Sequence, residues 1–309
     1  MKNRSRVRDP YYYRGTPIWQ LARRNGIKSA SMFWIGSELP DPDLSPDYHF
    51  QYQESMHDTI RIQQVLKWLK LPEDDRPHFI TLYFSSPDHE GHMYGPEADE
   101  TRQAVLRADR NLAVIMDGLK KTGLPVNVII VSDHGMEEFK TIPDNYIFLS
   151  NLLDRKDTTV RVSNGGTQAH IYVRDKRKVD SLFKSIVKNP LKYSVLRQRD
   201  FPEHWHYKTP RSGDLLITAA PGFYIVDQEP ETFLAKLQSG TLTGVHGYDP
   251  DVAANMKGIF YAIGPNIKPH TTIPAFKNIH IYPLIAEILG LTIPPVDGRL
   301  EVLKPILVR

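Results

Sequence analysis

Residues 127–136 run Asn127-Val128-Ile129-Ile130-Val131-Ser132-Asp133-His134-Gly135-Met136, a short unbroken apolar stretch that ends in an acid, an imidazole and a glycine. A run of β-branched residues without polar alternation marks a strand covered on both faces, as in parallel sheets flanked by helices. Beyond the end of such a strand, a turn at Gly135 lets adjacent side chains that the pleat would hold apart converge. Ligands of open α/β sheets gather at that carboxyl end. Asp133 and His134 are therefore candidate metal ligands, although an Asp that caps the next segment beside a surface His accounts for the same residues.

Reading outward, helical and strand-like periods alternate through the first half of the chain. Residues 17–25 predict a short helix closed by Gly26, and residues 28–34 a strand. Residues 56–71 carry Ile62, Val65, Leu66 and Leu69 on one helical face and stop before Pro72. Residues 78–84 predict a strand, and between residues 97 and 121 Val105, Ala108, Leu112, Ile115 and Leu119 share a helical face. This alternation implies an α/β fold with a parallel sheet covered by helices. From residue 136 to residue 245 it becomes irregular, with short strands expected at residues 169–173 and 215–218. Regular pattern returns with a strand at residues 258–263 and a helix at residues 281–289. The expected organisation is one domain over residues 1–309 with an inserted lobe at 136–245.

Composition narrows the chemistry. The 309 residues include 39 basic and 36 acidic side chains, a formal charge of +3, 40% hydrophobic residues and no cysteine. Disorder is excluded by the apolar content, and thiolate metal sites and cysteine nucleophiles by the missing cysteine. Any metal must be held by nitrogen and oxygen. The densest basic stretch, Arg174, Lys176, Arg177 and Lys178, encloses Asp175 and reads as a solvated helix start, so no nucleic-acid partner is indicated. No window has the apolar length of a membrane span, and no apolar stretch follows the basic opening as in a signal peptide.

Two further motifs place histidines beside acids or glycines. In Pro87-Asp88-His89-Glu90-Gly91-His92, Asp88 and His92 are four apart, so one turn brings carboxylate and imidazole to the same side, a set suited to zinc. A solvated polar loop is the competing reading. In Gly244-Val245-His246-Gly247-Tyr248-Asp249-Pro250, His246 stands among glycines; alone it would read as a structural or exposed histidine. Together, Asp88, His92, Asp133, His134 and His246 supply five candidate ligands, enough for one three-ligand site and part of a second.

Asp88-x-x-Gly91-His92-x-x-Gly95-Pro96, the Ser132 to Met136 stretch and the Gly244 to Pro250 loop together resemble the nucleotide pyrophosphatase/phosphodiesterase family of the alkaline phosphatase superfamily. Pro17-Ile18-Trp19, Phe33-Trp34-Ile35-Gly36-Ser37-Glu38, Arg76-Pro-His-Phe79, residues 257–265 and Tyr282-Pro-Leu284 resemble it in the same order. The resemblance implies a doubly wound, mostly parallel sheet of alkaline phosphatase type and two zinc ions. One ion would be held by Asp88, His92 and His246, and the other by Asp133, His134 and further ligands. It implies hydrolysis of phosphodiester or pyrophosphate bonds of nucleotides through a Thr nucleophile. It also implies base-contacting positions at Phe33, Tyr83 and Tyr52, all of which ordinary core packing explains equally well.

In the family the Thr and one Asp ligand precede the Pro-Ile-Trp segment, on the first strand and the helix after it. Pro17 lies sixteen residues after Met1, so the chain is expected to lack that strand, that helix and the nucleophile. Neither Thr16 nor Thr81 has the family's flanking pattern, and Thr141 and Thr167 lie in the irregular stretch. The alternatives are a non-catalytic remnant that binds metal or nucleotide, and a phosphoethanolamine transferase or phosphomutase of the same superfamily. The resemblance further implies a periplasmic or secreted location for the complete protein.

Overall fold

Apolar residues three and four apart between Ile62 and Leu69 form the inner face of a helix that begins where His57 accepts the Thr59 N–H through its ring. In the computed structural model residues 4–186 and 191–308 are described. Residues 1–3 of the basic opening and 187–190 of the irregular stretch lie outside them. Two compact units divide the chain: Met1–Ser86, Leu106–Ile130 and Tyr261–Arg309 form the first, and Pro87–Val105 and Val131–Phe260 the second.

The first unit holds α1 (Ile18–Arg24), β1 (Ser29–Met32), β2 (Tyr48–Phe50), α2 (Asp58–Leu69) and β3 (Phe79–Leu82). Strand β1 is fully buried and pairs in parallel with β2 on one side and β3 on the other, Ala30 standing opposite Tyr48 and Ile80. Parallel neighbours need a crossover, which α2 supplies between β2 and β3. Helix α2 drives Val65, Trp68 and Leu69 into a core with Ala30, Met32 and Phe33. In the chain, α3 (Asp88–Tyr94) and α4 (Asp99–Thr122) follow, and Ile115, Met116 and Leu119 of α4 pack on that same core.

β4 (Val128–Val131) hydrogen-bonds to β13 (Phe260–Ile263). The expectation that it is covered on both faces is corrected: all four of its residues are half-buried. The physical reason is lateral: among the described residues β13 is its one hydrogen-bonded neighbour, so its side chains lack the cover that side chains of a second adjoining strand would add.

In the second unit the 136–245 stretch resolves into β5 (Glu137–Lys140), β6 (Tyr146–Phe148), β7 (Val160–Asn164), β8 (Gln168–Val173), α5 (Val179–Ile186), β9 (Tyr193–Arg197), β10 (Leu215–Ala219), β11 (Tyr224–Val226), α6 (Pro230–Leu234) and β12 (Leu242–Val245). Strands β7, β8, β10 and β9 form an antiparallel sheet in that spatial order. The period-two rule of a pleated strand is visible in β8, where Ala169, Ile171 and Val173 are buried and the residues between them are not. The basic stretch at 174–178 is a solvated helix start, with the Asp175 side chain accepting the Arg177 N–H. Parallel β6 and β11 and antiparallel β5 and β12 complete the unit.

The last helix, α7 (Ile281–Ile288), returns to the first unit and packs Ala286 against Ile18, Leu21 and Ala22 of α1. Buried His280, just before it, accepts the Arg299 N–H on Nδ1 at 2.9 Å. Burial, helped by Arg299 and Lys277, lowers its pKa below the ordinary 6.5.

Two measurements check this layout. Ile171 has no exposed surface, and Ile171→Ala should cost about 2–5 kcal/mol in urea unfolding; a loss under about 1 kcal/mol would contradict a packed core around β8. Because folded His280 binds its proton less readily than unfolded His280, its share of stability is intact above about pH 6.5 and declines as pH falls below it. His280→Asn, whose Oδ1 also accepts from Arg299 N–H, should unfold with a shallower acid dependence between pH 6.5 and 5; an unchanged slope would exclude His280 as the cause.

Candidate metal centre

Five ligand candidates lie in the second unit. Helix α3 puts Asp88 and His92 on one face, four residues apart. Asp133 and His134 stand in the turn that follows β4 in the chain, and His246 directly follows β12. The turn needs Gly135: its N–H donates to Met256 O at 3.0 Å, and a Cβ there would overlap the Asn255 carbonyl oxygen.

The three imidazole Nε2 atoms converge on one carboxylate oxygen. Asp88 Oδ1 is 3.5 Å from His92, 3.7 Å from His246 and 4.0 Å from His134. It is shielded from solvent and has no hydrogen-bond partner. His92 Nδ1 meets Gly244 O at 2.7 Å, and His134 Nδ1 meets Gly135 O at 2.8 Å. A carbonyl only accepts, so in both rings Nδ1 carries a proton, and in the neutral imidazole, the form a metal binds, Nε2 then presents its lone pair. Lone pairs facing lone pairs repel unless a cation lies among them.

The spacing suits that cation. Ligands at about 2.0–2.2 Å in a tetrahedron lie about 3.3–3.6 Å from one another, near the separations from Asp88 to His92 and His246. The ligand atoms of Asp88, His92 and His246 are all within 4.8 Å of one another, and these residues could hold a metal ion. His134 stacks on His246 with ring centroids 3.6 Å apart, and its Nε2 lies 3.4 Å from Asp133 Oδ2. Asp133 stands at the exposed rim. Burial, then the neighbouring His134, pushes the His246 pKa down despite Asp88, which keeps its imidazole neutral, the form a metal requires.

Backbone partners fix these rings, as outer partners of metal-binding histidines do. Nothing in the sequence marks them, because carbonyl acceptors leave no residue-type signal. The glycines do leave one. A side chain at Gly244 would overlap the Gly91 carbonyl oxygen and crowd Met136, so only glycine lets β12 approach α3 closely enough for the His92 contact. Thr167 and Gln168, at the start of β8, hold the His246 loop: Thr167 Oγ1 donates to His246 O at 3.1 Å and Gln168 Nε2 to Gly247 O at 2.7 Å.

Three of the four threonines weighed as nucleophiles donate their hydroxyls within the fold. Thr167 serves His246, Thr81 Oγ1 donates to Ser31 Oγ at 2.9 Å, and Thr141 Oγ1 donates to Gln238 O at 2.7 Å.

The aromatic candidates meet in the first unit. Phe33 and Tyr52 pack edge to face with centroids 5.3 Å apart, and Tyr52 and Tyr83 lie 6.2 Å apart. Phe33 is 4% exposed and a core member, whereas Tyr83 keeps 37% of its surface exposed. Phe33 also has a positive φ of 69°, a backbone state that costs a bulky residue about 1–3 kcal/mol and persists only where its surroundings enforce it.

The match to solved structures of murine ectonucleotide pyrophosphatase / phosphodiesterase 5 over 97% of the chain gives the fold as alkaline phosphatase type. The model of the type I phosphodiesterase / nucleotide pyrophosphatase family matches residues 1–249, and the chain belongs to that family. It is 33% identical over 304 residues to the venom phosphodiesterase CdcPDE of Crotalus durissus collilineatus, a match that covers 95% of this chain and 35% of that protein. It is also 33% identical over 309 residues to human ectonucleotide pyrophosphatase/phosphodiesterase family member 1, covering 94% and 31%. The chain thus spans about a third of the length of these relatives. Its fold matches murine ectonucleotide pyrophosphatase / phosphodiesterase 5 with a TM-score of 0.85 and 27% identity over 97% of this chain and 78% of that one. An inactive form of the murine protein in complex with AMP matches with a TM-score of 0.84.

Removing the support under His246 is a direct check. Thr167→Val should weaken zinc affinity about tenfold in a chelator competition, with the unfolding midpoint nearly unchanged; unaltered affinity would show that the loop holds its shape without that hydroxyl.

Proposed function

We propose that this chain is the metal-binding part of a zinc-dependent phosphodiesterase/nucleotide pyrophosphatase acting on nucleotides. The observation that carries the reading is the solvent-shielded Asp88 Oδ1, which has no hydrogen-bond partner and faces three imidazole nitrogens at 3.5–4.0 Å. Asp88, His92 and His246 are assigned to one ion, and Asp133 and His134 to a second. Zinc bound at such a pair would offset negative charge on the oxygens of a phosphodiester. The chain's own part is to keep the Nε2 atoms unprotonated, through the Gly244 and Gly135 carbonyls, and to hold the His246 loop through Thr167 and Gln168.

Phe33, Tyr52 and Tyr83 are assigned to the nucleobase, a reading supported by their mutual packing and by the AMP complex of the murine relative. The lobe at 136–245 is taken as an insertion in a single catalytic domain that shapes substrate choice, a reading supported by a core around Ile171, Leu215 and Ile217 that is drawn mainly from this stretch and continues into Tyr248, Ala253 and Met256. No nucleophile is assigned, in keeping with the engaged hydroxyls of Thr81, Thr141 and Thr167. Relatives described as venom and ectonucleotide enzymes support a location outside the cytoplasm. Among the described residues no helix is long and apolar enough to cross a membrane.

Calorimetry with zinc tests the ligand set. Asp88→Asn and His246→Ala should each weaken binding more than about 100-fold, beyond the effect of losing an outer partner; wild-type affinity in either variant would remove that residue from the site. With a nitrophenyl ester of thymidine monophosphate, the 309-residue chain should bind zinc and give negligible turnover. Zinc-dependent hydrolysis would overturn the missing nucleophile and leave the metal assignment standing.

A further inference from the structure

Arg61 is a charged side chain with 1% of its surface exposed, on the inner face of α2 in the first unit. A buried guanidinium is tolerated only where its N–H groups find acceptors and its charge a counterweight. Here Nε donates to Met56 O at 3.0 Å, Nη1 to Tyr83 O at 3.0 Å and Nη2 to Glu54 O at 3.4 Å. The guanidinium carbon stands 5.0 Å from the centroid of the Phe33 ring, within cation–π range. Asp58 Oδ1 is 3.8 Å from Nε, and Oδ2 of the same carboxylate accepts Asn111 Nδ2 at 2.8 Å.

These contacts touch three separate stretches of chain. Phe33 follows β1, Glu54 and Met56 close the loop that carries Tyr52, and Tyr83 follows β3. They are the stretches that bear the three aromatic residues assigned to the base. A single planar group thus ties together the backbone around Tyr52, the backbone of Tyr83 and the strained Phe33. Lysine could not substitute, because a point charge on a flexible stem lacks the flat face and the fixed fork.

We infer that Arg61 is a positioning residue for nucleobase recognition, setting the gap between the Tyr52 and Tyr83 rings from beneath. It touches no ligand itself. The inference rests on the assignment of Phe33, Tyr52 and Tyr83 to the base, so its test must separate the two.

AMP and ribose 5-phosphate differ by the base alone, and their affinities for the zinc-loaded 309-residue chain can be measured by calorimetry. Wild type should prefer AMP about tenfold, the scale of one stacked base, and Tyr83→Ala should abolish the preference. Arg61→Lys and Arg61→Gln should also abolish it while leaving the affinity for ribose 5-phosphate unchanged. No preference in wild type would sink the base assignment and Arg61 with it. A preference lost in Tyr83→Ala but kept in both Arg61 variants would overturn the role of Arg61 alone. Equal loss for both ligands in the Arg61 variants would mark Arg61 as a general structural prop and equally overturn the inference. Arg61→Lys keeps the charge, so it remains informative where Arg61→Gln fails to fold.

Discussion

One carboxylate oxygen facing three imidazole Nε2 atoms organises the second unit. The Nε2 atoms of His92, His134 and His246 come from a helix, a turn and the end of a strand, and each lies within 4.0 Å of Asp88 Oδ1. Holding the acceptor nitrogens of His92 and His134 that close to a carboxylate oxygen costs electrostatic energy, so the backbone around them must be stiff. Gly244 allows β12 to lie against α3, and Gly135 allows the turn to sit under the Asn255 and Met256 carbonyls. Thr167 and Gln168 connect the site to the antiparallel sheet, whose core includes Ala169, Ile171, Leu215 and Ile217. The site's rigidity is therefore inherited from packing several residues away.

The regular elements were legible because burial imposes a period. Helices α1, α2, α4 and α7 and strands β1 and β3 fall within a few residues of their expected bounds, each with apolar residues packed into a core. Asp88 and His92 were legible for the same reason, since a spacing of four on a helix is itself geometry. His246 carried no periodic signal and became a candidate only in company with the others. The 136–245 stretch was poorly legible because its strands are short and joined by 3₁₀ turns, and because β8 and β10 owe their burial to antiparallel partners distant in sequence. The apolar run of β4 suggested full burial, yet hydrophobicity reports a preference for being covered and not how many neighbours supply the cover.

Arg61 escaped the sequence reading through the same kind of blindness. A charged residue in a helical pattern reads as solvent-facing, and here it points inward because its acceptors are backbone carbonyls, Met56, Tyr83 and Glu54, which no residue-type argument can locate. Likewise His92 and His134 owe their tautomers to carbonyls of glycines. In both units the determining partner is main chain, set by the fold and silent in composition.

The two buried ionic groups make opposite statements about function. Around Arg61, three carbonyls, an aromatic face and the Asp58 carboxylate meet the positive charge from several directions. Such a group is complete without a ligand, and its effect is transmitted through the segments it joins. Around Asp88 Oδ1 the neighbours are imidazole nitrogens, and those of neutral His92 and His134 turn toward it lone pairs of the same polarity as the oxygen itself. A buried polar atom without a partner costs about 1–3 kcal/mol, and more when it is charged, a cost that a fold under selection for stability alone would shed by substitution. The cluster is best understood as the part of the chain whose electrostatics are balanced only when a cation is bound.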